Sequence, residues 1–260
     1  MGQVLVVHGI ESPPERIART IRVYLPDLYE REPDARFGVV YLHDGQNVFE
    51  HPESAVDPTW AADEAIERLN SEGRIGPWLL VAVDHTGPGR YEDYTPWPDR
   101  QNRVKGRGAA YAKFLVEHLK PEVDARFRTW PEAASTAAVG SSLGGLISLY
   151  LGWRHGDVFG RIGALSPTVM WSQGELGRRW ARRTEWPLRI YLDAGSAERF
   201  RAGRVELNYG REVKAFHQRL LALGYRDDEL RLVLEKGALH HESAWARRLP
   251  AALEWLLEEP

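Results

Sequence analysis

A chain of 260 residues with 43% hydrophobic content is long enough to bury a large core, as one α/β domain or two small ones. A net charge of -3, from 34 basic and 37 acidic residues, gives no overall pull toward nucleic acid or an anionic membrane and points to a small-molecule partner. With no cysteine, disulfides, thiolate nucleophiles and Cys-type zinc sites are excluded.

The N-terminal "MGQVLVVHGI" has no basic leader and only a short apolar run, so a cytoplasmic location is expected. Short apolar, β-branched runs predict eight strands, at 3–7, 20–25, 38–43, 78–83, 136–140, 161–165, 188–192 and 230–234. The longest of them, "WLLVAV", is far short of the ~20 residues that span a bilayer, so no membrane segment is expected. No helical pattern separates the first two strands, which predicts an antiparallel edge. From the third strand onward helical spacing intervenes, as in Trp60, Ile66 and Leu69, in Tyr111, Phe114, Leu115 and Leu119, and in Val213, Phe216, Leu220 and Leu223. Strands alternating with helices imply βαβ units and a mostly parallel sheet covered on both faces. No repeat or linker divides the chain, so residues 1–260 are expected to form a single domain. The stretch 84–108 is too long for a plain connection and carries Tyr91, Tyr94, Trp97 and several arginines, which makes it a candidate binding loop.

The fifth strand runs directly into "VGSSLGGL", where Gly140, Ser142 and Gly144 form Gly-x-Ser-x-Gly. The helical pattern Leu146, Leu149, Tyr150, Trp153 follows at once. Strand, tight turn, helix is the setting of a nucleophile elbow, in which glycines let the backbone cross itself and the serine hydroxyl stands at the C-terminal edge of the sheet. A serine hydroxyl is a weak nucleophile at neutral pH, so it requires a histidine base and a carboxylate that orients the base. In an α/β-hydrolase arrangement these follow the seventh and eighth strands in the order acid, then His. After strand 188–192 stand Asp193 and Glu198, and after strand 230–234 stand His240 and His241. Adjacent side chains rarely converge on one ion, and no His-Glu-x-x-His helix is present, so His240, His241 and Glu242 are not expected to bind a metal.

Several segments in order resemble the putative-esterase family of α/β-hydrolases, which includes esterase D, feruloyl esterases and enterochelin esterases. They are "VYLPDLYE" (23–30), "VVYLHDGQNVFE" (39–50), "GRYEDYTP" (89–96), "AVGSSLGGLISLYLGWRHGDVFG" (138–160), "ALSPTVMW" (164–171), "YLDAGSAE" (191–198) and "GALHHESAWARRLPAALEWL" (237–256). The resemblance implies an eight-stranded α/β-hydrolase fold and a serine carboxylic-ester hydrolase with no cofactor. It makes Ser142 the nucleophile, Glu198 the acid and His240 the base. His241 departs from the Asn that the family usually carries there, and Asp193 at the strand end is a rival acid. Oxyanion-hole amides are implied at Leu143, after the nucleophile, and at Gln46 in "HDGQN", which otherwise reads as an ordinary polar turn.

Tyr94, Trp97 and Trp171 are candidate walls of a substrate pocket, although ten tryptophans in one chain must mostly serve the core. Arg90, Arg100, Arg103, Lys105 and Arg107 are candidate contacts to an anionic substrate, although they are interspersed with Glu92, Asp93 and Asp99 and also read as a solvated face. The expected substrate is a short-chain or aromatic ester held between the 84–108 loop and the Trp171 region. The alternatives are acyl transfer on the same fold, since the family includes mycolyltransferases, and a binding scaffold without turnover.

Overall fold

The structure, a computed structural model, describes residues 2–100, 102–202 and 205–258. Strands β1 (Gln3–Ser12) and β2 (Ile17–Leu25) form an antiparallel hairpin at one edge of the sheet, as their uninterrupted succession predicts. β1 continues past the expected end at Val7 because a register shift between Val7 and Ile10, with Gly9 at φ 76°, absorbs the break in apolar alternation. The chain then passes through α1 (Asp27–Arg31), β3 (Gly38–His43), α2 (Ala62–Ser71), β4 (Trp78–Val83) and α3 (Arg90–Tyr94). A helical stretch follows, made of α4 (Gly108–Phe114), a π-helical turn at Leu115–Leu119 and α5 (Lys120–Arg126). Pro121 stands in the first turn of α5, where its ring cannot join the i→i−4 ladder, and the widened turn before it absorbs the mismatch.

The second half comprises β5 (Thr136–Ser141), α6 (Leu143–His155), β6 (Arg161–Leu165), α7 (Trp171–Arg179) and β7 (Arg189–Gly195). A small hairpin of β8 (Arg199–Ala202) and β9 (Val205–Asn208) precedes α8 (Tyr209–Ala222), β10 (Leu230–Glu235) and α9 (Glu242–Leu257). That hairpin is not among the expected strands; four residues on each side are too few for apolar periodicity to register.

Eight strands form one sheet in the order β1-β2-β4-β3-β5-β6-β7-β10. β1 and β2 are antiparallel to their neighbours and the other six strands run parallel. Side-chain alternation divides the core between the two faces. Val39, Tyr41, Leu79, Val81 and Val83 pack with Tyr111, Phe114, Leu146 and Phe216 on one side. Val40, Leu42, Trp78, Leu80 and Ala82 pack with Ile66, Leu69, Leu249 and Leu253 on the other. A central parallel strand buried on both faces must be apolar throughout, which is why "WLLVAV" shows no polar alternation. No helix among the described residues is long and apolar enough to cross a membrane.

The expected binding loop at 84–108 is tied down by buried charge. Asp93 is fully buried and accepts from Thr86 N at 3.2 Å and Thr86 Oγ1 at 2.7 Å. Arg107 Nη2 reaches it at 3.1 Å and Arg19 Nη2 at 3.3 Å. Arg19 also gives a forked pair of hydrogen bonds to Glu15, at 2.7 and 2.5 Å, so one guanidinium joins the β1–β2 turn to α3. Arg19→Met leaves Glu15 and Asp93 buried without their shared cation. It should lower the unfolding free energy by about 3–5 kcal/mol, read from urea denaturation.

Candidate active site

The turn between β5 and α6 places Ser142 at φ 55°, ψ -118°, a conformation that L-residues hold only when the surroundings enforce it. The crossing is tight enough that a Cβ on Gly140 would lie 2.6 Å from the Gly144 carbonyl carbon and 2.8 Å from His43 Cδ2. Only glycine fits there. Ser142 N donates to Leu165 O at 2.9 Å, and Ser142 O accepts from Thr168 N at 3.0 Å, so the turn is fastened to the end of β6.

Ser142 Oγ lies 3.0 Å from His240 Nε2, and His240 Nδ1 lies 2.8 Å from Glu198 Oε2. Three segments far apart in the chain meet here, after β5, β7 and β10. The imidazole is held on both sides, with the Tyr209 ring tilted against it at 4.3 Å and the Trp245 ring edge-on at 4.8 Å. Glu198 is fully buried, and its Oε1 accepts from Gly195 N at 2.6 Å and Ser166 Oγ at 2.7 Å. Burial pushes this carboxyl up, but hydrogen bonds from His240, Ser166 and Gly195 outweigh it and hold the group below the ordinary range.

The rival residues are placed elsewhere. Asp193 Oδ1 accepts from Ser166 N at 3.0 Å and Oδ2 lies 3.1 Å from Arg248 Nε, so Asp193 braces the turn after β6. His241 is exposed and its Nδ1 accepts from Ser243 N at 3.2 Å, which caps α9.

Gln46 lies in the turn Gly45–Asn47 after β3, and Leu143 opens α6. These turns adjoin, since a Cβ on Gly144 would lie 3.4 Å from Asp44 Oδ2. Asp44 itself is left-handed at φ 58°, ψ 48°. Two expected substrate contacts prove to support this turn instead. Arg90 commits its fork to Asp44, Nε to Oδ1 at 2.6 Å and Nη2 to Oδ2 at 2.8 Å. Tyr94 is fully buried between His43 and Tyr111, and its hydroxyl accepts from Asp44 N at 2.9 Å. Arg90 has its Nε and Nη2 taken up by Asp44, and Tyr94 has no exposed surface to offer a ligand. Gln46 is pinned by its side chain, which accepts from His85 N at 3.1 Å and donates to His85 O at 3.4 Å. Beneath the turn, burial pushes His43 down to about 3, so its imidazole is neutral beside Tyr111 OH at 2.9 Å.

A cleft of about 1080 Å³ opens from Thr168 outward, lined by Trp97, Trp171, Phe200 and Phe216. Trp97 is half-buried on Tyr150 at 5.7 Å with Arg179 over its outer face at 5.4 Å, and Trp171 packs against Tyr91 at 6.0 Å. Ser172, Gln173 and Gly174 all adopt left-handed conformations immediately after Trp171, which breaks the first turn of α7 at the cleft wall. Sequence reasoning missed Ser166, Thr168, Tyr209 and Arg248. The first two follow the end of β6 and are recoverable from strand position, whereas Tyr209 and Arg248 sit in helices with no motif to mark them.

A hydroxyl on a strained strand-to-helix turn, bonded to an imidazole that is bonded to a buried carboxylate, on this sheet order, defines the α/β-hydrolase class. Residues 16–256 match the profile of the family described as Putative esterase, and the chain belongs to that family and is an ester hydrolase. The uncharacterized protein YbbA of Bacillus subtilis (strain 168) is 27% identical over 243 residues, 92% of each chain. An iron(III) salmochelin esterase of Escherichia coli O6:H1 is 27% identical over 239 residues, 88% of this chain and 52% of that protein, so this chain spans about half its length. Among solved structures, a ferulic acid esterase superposes with a TM-score of 0.74 over 99% of this chain and 98% of that one, at 17% identity, a likeness of fold.

The buried Asp193 gives a pH test of this framework. Burial raises its carboxyl from 3.8 to about 7 even though the Arg248 cation opposes the rise. An acid with a raised folded-state pKa stabilises the fold below its unfolded value, and that contribution disappears as pH rises through the folded one. Between pH 3.8 and about 7 the parent should therefore lose stability relative to Asp193→Asn. Urea midpoints of the two proteins across that window check the trend; parallel curves would contradict it.

Proposed function

We propose that the protein is a serine carboxylic-ester hydrolase in which Ser142 is the nucleophile, His240 the general base and Glu198 the orienting acid. The observation that carries this reading is the continuous array Ser142 Oγ, His240 and Glu198, at 3.0 and 2.8 Å, on a strained turn at the C-terminal edge of the sheet. His240 Nε2 takes the Oγ proton as Oγ adds to the ester carbonyl, and Glu198 stabilises the imidazolium that forms. The tetrahedral oxyanion is received by the backbone N–H groups of Leu143 and Gln46, on the two adjoining turns. Collapse expels the alcohol, protonated by His240, and water repeats the sequence on the acyl-enzyme.

Membership of an esterase family and the esterase names of its relatives support an ester as the substrate class. The cleft, which reaches Thr168 next to Ser142 and has Trp97 and Trp171 in its wall, favours a short-chain or aromatic ester.

A fluorophosphonate probe should label the parent and leave Ser142→Ala unlabelled. Hydrolysis of p-nitrophenyl acetate should fall in that variant by roughly 10³–10⁶-fold, the range for losing a triad nucleophile. Equal rates in the two proteins would reject the proposal. Trp97→Ala and Trp171→Ala should raise KM for bulky aromatic esters by the equivalent of about 1–3 kcal/mol while sparing acetate, measured on an ester panel.

A further inference from the structure

Ser142 Oγ has a second polar neighbour. Thr168 Oγ1 lies 3.3 Å away, and the Tyr209 hydroxyl lies 3.4 Å beyond Thr168. Both side chains are almost wholly buried, and both are fixed by their backbones to the residues they serve. Thr168 N donates to Ser142 O at 3.0 Å, and Tyr209 N donates to Glu198 O at 3.2 Å. Tyr209 thus touches three parts of the array at once, with its ring on His240, its amide on Glu198 and its hydroxyl on Thr168.

The direction of these hydrogen bonds follows by elimination, given the reading of Ser142 as nucleophile on which this inference rests. An ionised Glu198 only accepts, so His240 Nδ1 carries the proton between them and Nε2 of the neutral ring is an acceptor. Ser142 has one proton and gives it to Nε2. Its oxygen can then only accept, and Thr168 at 3.3 Å is placed to donate, with the Tyr209 hydroxyl also interacting with Ser142; a Thr168 proton given to Ser142 leaves Thr168 to accept from Tyr209. Tyr209 carries its proton at working pH, because burial raises the phenol above its ordinary value.

We propose that Thr168 is a further catalytic residue, a hydroxyl donor to Ser142 Oγ when that oxygen leaves in deacylation, and that Tyr209 is the positioning residue that aims it. In deacylation water adds to the acyl carbon and gives a proton to His240 Nε2. The carbon–Oγ bond then breaks, its electron pair stays on Oγ, and Nε2 returns the proton to Oγ. Thr168 donates a hydrogen bond to Oγ throughout and keeps its own proton. Contacts of 3.3 and 3.4 Å are long for O–H···O at rest and shorten as Oγ gathers charge, so the gain falls in the transition state. In acylation Oγ starts as a hydroxyl oxygen that already accepts this hydrogen bond, whereas in the acyl-enzyme it is an ester oxygen and a poor acceptor, so the gain from ground state to transition state is larger in deacylation.

The two half-reactions therefore separate this role from a structural one. Stopped-flow hydrolysis of p-nitrophenyl acetate by Thr168→Val should show a deacylation rate about 10-fold lower, with the acylation burst within about two-fold of the parent and a larger burst amplitude. Thr168→Ser, which keeps the hydroxyl, should restore deacylation to within about three-fold of the parent, and Tyr209→Phe should slow it less than Thr168→Val. An equal loss in both half-reactions, no loss in deacylation, or a serine variant as slow as valine would overturn the assignment of Thr168. Deacylation at the parent rate in Tyr209→Phe would remove Tyr209 from it. Failure of the hydrolase reading is distinguishable, because the parent itself then releases no p-nitrophenol and both proposals fall together.

Discussion

The backbone at Ser142 is the constraint on which the site depends. A positive φ at a non-glycine residue costs roughly 1–3 kcal/mol and survives only where neighbouring bonds leave no alternative. Here the amide is held by Leu165 O, and the carbonyl is held by Thr168 N and Leu146 N. β6 and the turn after it therefore lock the elbow from outside, while α6, buried along most of its length, prevents the helix from rotating to relieve it. The hydroxyl is left in one position, into which a base can be brought.

His240 and part of its support come from one helix and the turn before it. His240 precedes α9, while Trp245 and Arg248 lie three residues apart on the same face of α9 and both reach Ser166 Oγ, at 3.0 and 2.7 Å. Ser166 in turn donates to Glu198 at 2.7 Å. Arg248 also lies within ion-pair distance of Asp193, Glu198 and Glu235, at 3.1, 3.4 and 3.2 Å. One buried guanidinium among three carboxylates explains how two acids can sit close together, Asp193 near the end of β7 and Glu198 just beyond it, with opposite titration behaviour. Glu198 has His240, Ser166 and Gly195 as additional partners and remains ionised, whereas Asp193 depends mainly on the shared cation and a single amide.

A similar economy governs the turn that carries Gln46. Arg90, Tyr94 and Asp44 form a rigid strut between α3 and the end of β3, and the Arg19 and Asp93 cluster secures α3 from behind. Much of the aromatic and basic composition of the 84–108 segment thus fixes the turn that carries Gln46, while Trp97 and Arg100 line the cleft.

Much of this is legible in the amino-acid order because it is set by local rules. Strand positions such as 38–43, 78–83 and 161–165 agree with the observed bounds, since a strand buried on both faces must be continuously apolar. The elbow is legible because small residues are required where a strand turns directly into a helix, and the order Ser142, Glu198, His240 follows from which strands end on either side of it. The partner of the imidazole is a different matter. Asp193 and Glu198 are both acids after the same strand, His240 and His241 are neighbours, and Tyr94 and Trp97 stand three apart in one aromatic segment. Which member of each pair enters the site depends on side-chain direction at a single residue, and that is decided by packing against elements dozens of residues away. Tyr209 and Arg248 reach the site only because α8 and α9 fold back onto opposite faces of the sheet, so the tertiary structure alone brings their polar ends to Thr168 and Glu198.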